Sequence, residues 1–242
     1  MAQSIISSPI KDIWPDGDSP ITLSTTPGYL WRDSDAQEVE FFCDVDFRLN
    51  ISPRIKYALF FDDTAETYTD GANELQDGDT DTALTISSMT SSDYIYVITD
   101  DPILGFYIDV DKPNGTASTM TVSYYNGTEF TDASDTDGTA DGGKTFAQDG
   151  LVYWAAKTDE AQTSINGHTG YIYRIGVSAT MDSEVTLLQM LSLSKRSDTH
   201  APSVSREGAT YHSFSMNIEE VGGFQLDVSS GSGTLVVNWI KH

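Results

Sequence analysis

The chain has 242 residues, with 13 Lys plus Arg against 37 Asp plus Glu, for a formal charge of −24. At 38% apolar and 11% aromatic residues it carries too much ring and β-branched side chain for an acidic disordered tail, so it is expected to fold, as one large all-β domain or two smaller ones. That charge argues against DNA or RNA as a partner. No run approaches the roughly 20 apolar residues of a membrane span, and the first nine residues lack a signal peptide's basic start and apolar stretch, so a soluble, unexported chain is expected.

In chain order, residues 1–50 read as an extended N-terminal arm with its first strand. Trp14 and Trp31 stand isolated on it and are expected to dock on this chain or on a neighbouring subunit. Alternating apolar runs then predict strands over 39–49, 55–61, 93–99, 104–110, 118–125, 151–156, 171–178 and 185–191, and no amphipathic helix of three turns is visible. Asn114-Gly115 and Asn126-Gly127 predict two tight hairpins, because both residue types tolerate positive φ. Cys43, the single cysteine, lies among Phe41, Phe42 and Val45 and is expected to be a buried thiol. These runs place one β domain over 51–194. The polar stretch 195–205 reads as a linker, and 206–242 as a three-stranded meander in need of something to pack on.

Charge is uneven. Residues 62–149 hold 19 acids and 2 bases, about 15 Å apart if spread over a proportional share of surface, against a Debye length of about 8 Å in physiological salt. Of the 37 acids, 27 are Asp, which suits turns better than helices. Asp77-Gly78-Asp79-Thr80-Asp81 opens like an EF-hand loop but has Thr82 where Gly is required and Ser88 where Glu is required. A better candidate calcium site is Asp132, Asp135, Asp137 and Asp141, weighed against a solvated, turn-rich loop. No other cofactor is indicated.

Catalysis finds little support. There is no G-x-S-x-G elbow, and His168, His200, His212 and His242 have no metal-spaced partner. Paired carboxylates for glycoside hydrolysis are defined in space, so 37 acids give no single pair weight. A non-enzymatic protein is expected. Carbohydrate binding through Tyr29, Trp31, Tyr68 or Trp154 is the alternative, although Trp154 and Trp239 lie in apolar runs that favour the core. Lys195, Arg196 and Arg206 form the one basic cluster, a candidate interface on an acidic protein.

From about Tyr57 to Leu193 the chain resembles a β-sandwich module of tailed-phage virion proteins. The resemblance rests on Asp93-Tyr94-Ile95-Tyr96-Val97, Pro102 to Val110 and Tyr124 to Phe130, and then on Asp137-Gly138-Thr139, the Gly150 to Trp154 spacing, Ile165-Asn166-Gly167 and Tyr171 to Arg174. These are similar to the module's DGT, G-x-x-x-W, ING and YW-x-R features, with Tyr173 where the module usually shows Trp. The resemblance implies a jelly-roll-like β-sandwich on a bacteriophage virion, assembled in the host cytoplasm, and supplies no catalytic residues. The expected function is a capsid decoration or cement protein that contacts itself, as a trimer, and the major capsid protein or other virion proteins. A carbohydrate- or receptor-binding neck or tail component is the alternative. Contacts are expected from the arm, through Trp14 and Trp31, or from the C-terminal meander.

Overall fold

A computed structural model describes residues 21–25, 28–31, 37–43, 45, 47–194, 198–200, 203–206, 209–217, 221–228 and 230–240. The chain divides into two compact units: Pro53–Lys195, and a unit made from both ends, Met1–Ser52 with Arg196–His242. Strands β1 (Ile21–Leu23), β2 (Gly28–Trp31), β3 (Glu38–Cys43) and β4 (Phe47–Pro53) lead into the inserted unit. That unit holds β5 (Ile55–Asp62), β6 (Thr67–Asp70), the short helix α1 (Glu74–Asp77), β7 (Leu84–Thr85), β8 (Tyr94–Thr99), β9 (Ile103–Lys112) and β10 (Met120–Tyr125). It continues with β11 (Phe130–Asp132), β12 (Thr136–Asp137), β13 (Gly150–Tyr153), β14 (Gln162–Ile165), β15 (His168–Val177) and β16 (Thr186–Ser194). The chain then returns through β17 (Asp198–His200), β18 (Ser203–Arg206), β19 (Ala209–Asn217), β20 (Val221–Val228) and β21 (Gly233–Ile240). The fold is all-β.

In the terminal unit one sheet has the order β1-β21-β3-β19-β18 and a second has β17-β4-β20-β2. Phe41 of the first sheet meets Phe224 of the second edge-on at 5.0 Å and Phe47 at 6.3 Å, so rings from both sheets fill one core. Cys43 is fully buried there, as its apolar neighbours predicted. Two expectations are corrected. The C-terminal strands are not a meander: β19 and β21 both pair with β3, and β20 lies in the other sheet. The partner they needed is the chain's own N-terminal segment, whose β3 takes the place between them. Nor is 195–205 a plain linker, because Asp198–His200 pairs with β4 and Ser203–Arg206 with β19. Both strands lie at sheet edges, where a polar sequence is tolerated and discourages further pairing.

The inserted unit has a seven-stranded sheet, β11-β10-β15-β8-β5-β6 with β14 also on β15, and a five-stranded sheet, β12-β13-β9-β16-β7. Ala58, Val97, Val122 and Ile175 of the first and Phe106, Ile108, Val152 and Leu187 of the second enter one buried cluster. Register shifts interrupt the period of two on β5 and along the β9–β16 pair. A register shift between Ile55 and Tyr57 on β5 sends Ile55 into this core and Tyr57 to the opposite face.

Of the two Asn-Gly pairs, Asn126-Gly127 does close a hairpin between β10 and β11, with Gly127 at φ 94 and Asn126 Oδ1 accepting from the Thr128 and Glu129 amides. Asn114-Gly115 does not. It lies on the crossover from β9, in one sheet, to β10, in the other, and Asn114 is buried. Its Nδ2 donates to the Thr116 and Thr145 carbonyls while its Oδ1 accepts from the Thr116 and Asp182 amides. A two-residue turn, Asn166-Gly167, with φ 49 and 82, joins β14 to β15.

Candidate functional site

Strands β5, β8 and β15 of the seven-stranded sheet alternate apolar residues on both faces. The face turned away from the core carries its own cluster: Leu59, Tyr96, Ile98 and Ile172 are buried, with Tyr57, Phe61, Tyr68, Tyr94, Phe130 and Ile165 packed around them. Register explains the assembly. Leu59 lies opposite Tyr96, Tyr96 opposite Arg174, and Arg174 opposite Ser123, so four strands place these side chains in one row.

The rings form a continuous band. Phe61 and Tyr68 are 4.8 Å apart between centroids, Tyr94 and Tyr96 are 6.0 Å apart, Tyr96 and Phe130 6.0 Å, and Phe130 and Tyr125 5.7 Å. Arg174 reaches into this band with its guanidinium carbon 4.7 Å from the Tyr94 ring centre and 4.8 Å from that of Phe130. Burial pushes the Tyr96 phenol above its usual range, against the pull of the Arg174 charge. Gly176 makes room for the arrangement: a Cβ there would lie 3.2 Å from a Tyr94 ring carbon, tighter than ordinary contact. Beside Tyr94 and Arg174 opens a recess of about 220 Å³, lined also by Gly176, Val177 and the hydroxyl-bearing residues Ser91, Thr121, Ser123 and Ser178.

The residues singled out from sequence do not assemble into this site. Trp14, Lys195 and Arg196 lie outside the described residues, as do the side chains of Trp31 and Arg206, although the backbones of those two belong to β2 and β18. The four candidate calcium ligands serve separate turns. Asp132 accepts from the Ser134 amide at 2.6 Å, Asp135 from the Val122 amide at 2.8 Å, and Asp137 from the amide and hydroxyl of Thr139, while the Asp141 backbone pairs with Lys144. Among the described residues no three His, Cys, Asp or Glu side chains gather as metal ligands. The carboxylates of Asp132, Asp135 and Asp137 thus accept from backbone amides, which is what Asp-rich turns do.

Of the rings proposed for sugar stacking, Tyr68 lies in the aromatic band and Trp154 lies in the core, 5.4 Å from Phe106 and 5.3 Å from Tyr173. The side chains of Tyr29 and Trp239 lie outside the described residues. Sequence reading took Arg174 only as part of the YW-x-R resemblance and not as a site residue, because it sits inside a run that reads simply as a strand. The signal that could have found it is an arginine at a mid-strand position two residues before a glycine, Gly176, which leaves space beside it. No family model, no curated protein and no solved structure matches the chain.

Proposed function

We propose that this chain is a non-enzymatic structural protein of a tailed-phage virion, a capsid decoration or cement protein that binds copies of itself, as a trimer, and the shell beneath. On this reading Pro53–Lys195 is a jelly-roll-like β-sandwich, its two sheets sharing one core, inserted into a second sandwich made from the chain ends. The observation that carries the proposal is how the residues of the virion-module resemblance are employed. Gly138 donates its amide to the Leu151 carbonyl at 2.9 Å, and Thr139 Oγ1 is buried and accepts from the Phe146 amide. Asn166-Gly167 forms the β14–β15 turn. Trp154, Phe106 and Tyr173 pack as one group, Phe106 edge-on to the other two rings, and the Tyr173 hydroxyl accepts from the Ile103 amide at 2.9 Å and donates to Glu160 at 2.8 Å.

These motif residues hold sheet to sheet or shape a turn, which is the use expected of a displayed scaffold. Acidity supports the same reading, since a net charge of −24 is tolerable on a released particle in salt, where screening weakens repulsion. The test is to sediment the purified chain alone and with particles lacking it. The proposal expects a discrete oligomer and saturable co-sedimentation with the particles. A monomer that leaves the particles bare contradicts it.

A further inference from the structure

The inserted unit has 7 Lys and Arg against 23 Asp and Glu, yet among the described residues no carboxylate pairs with Arg174. Its neighbours are aromatic: the guanidinium lies over the Tyr94 and Phe130 rings, and one of its donors goes to the Tyr96 hydroxyl. Guanidinium donors radiate in the plane of the group, so stacking leaves edge donors to bind something else. What lies next to it is the recess of about 220 Å³, whose polar lining is hydroxyl: Ser91, Thr121, Ser123 and Ser178. Ser178 Oγ already accepts from the Thr119 amide at 2.9 Å and still has its own proton to give.

We propose that this recess binds one sugar residue bearing a single carboxylate, a hexuronic acid, with Arg174 on the carboxylate and the hydroxyls on the ring oxygens. Three observations select that class. The volume is below the roughly 300–1,000 Å³ of sites for drug-sized ligands, which suits one ring and not a chain. Four hydroxyls, each able to donate and accept, match a polyol better than a bare oxyanion. A protein of charge −24 repels polyanions, so one carboxylate met by one local arginine is the anion it admits. The inference stands independently of the virion role, since a decoration protein with or without a glycan site would assemble in the same way.

The experiment is calorimetric titration of the whole chain, at fixed ionic strength, with glucuronic and galacturonic acids, with glucose and galactose, and with inorganic phosphate. It is repeated on Arg174→Gln and on Thr121→Val, the latter at an exposed position whose change leaves the core untouched. At least one uronic acid should bind with a Kd of about 1 mM, roughly tenfold more tightly than its neutral counterpart or phosphate. Arg174→Gln should remove the preference for the acid, and Thr121→Val should weaken acid and neutral sugar together at an unchanged melting temperature. Absence of uronic-acid binding overturns the proposal, as does phosphate binding of equal strength or affinity unmoved by Thr121→Val.

Discussion

Along β8 and β15 the same two strands supply both faces of the seven-stranded sheet. Ile95, Val97, Tyr173 and Ile175 point inward to the shared core, and Tyr94, Tyr96, Ile172 and Arg174 point outward. The inner side chains are sealed by a second sheet. The outer ones are covered largely by one another, and Tyr94, Phe130 and Arg174 remain half-buried beside a recess. Aromatic content therefore does not separate scaffold from surface in this chain. What separates them is whether a facing sheet completes the packing, and where a cation without a carboxylate has been placed.

That contrast can be broken at its strongest point by Phe106→Ala. Phe106 is fully buried and touches both Trp154 and Tyr173, so truncation should cost about 3–5 kcal/mol and lower the melting temperature by roughly 10 °C. A thermal melt within two or three degrees of wild type, by about the same scale, would mean that the two sheets do not share the core described.

A smaller effect is expected of Tyr173→Phe, which leaves the buried Ile103 amide without its acceptor. The loss should be about 1–2 kcal/mol in denaturant unfolding at neutral pH. Burial, chiefly, pushes the Tyr173 phenol far above its ordinary value of 10.0. The unfolded chain therefore ionises first, and the contribution that is intact below about pH 10 is lost as the solution becomes more alkaline. In the variant this loss disappears, so the gap between the two proteins should narrow as pH rises above 10. A gap that is constant with pH would place the hydroxyl in solvent.

The outer face should yield least. Phe130→Ala removes one of the two rings on Arg174 and half-buried apolar area, for about 1 kcal/mol, or 2–4 °C in melting temperature. An effect as large as that of Phe106→Ala would make the outer cluster a second core and abolish the distinction between the faces.

Much of the fold was readable because strands repeat every two residues: each run from 55–61 to 185–191 named above overlaps a strand of the structure, although β13 ends at Tyr153, short of the predicted 156. What was not readable follows from non-local geometry. Nothing near residue 40 announces that β3 will stand between β19 and β21, about 170 to 200 residues away. Asn114-Gly115 has a hairpin's local chemistry, yet its asparagine is consumed by a crossover between sheets. The aromatic face was invisible for a further reason. An outward tyrosine alternating with an inward isoleucine gives a continuous apolar run, so the period that marks a strand no longer tells which face is wet. Arg174 was the one clue, and its meaning depends on Tyr94 and Phe130, which come from two other strands.

The central proposal, that this chain is a structural component of a virion, is tested most directly by counting its copies per particle, through quantitative mass spectrometry of purified virions of the phage proposed to carry it against the major capsid protein. The account predicts hundreds of copies, in a fixed ratio to the shell protein. Its absence from the particle, or a count of only a few, would contradict it.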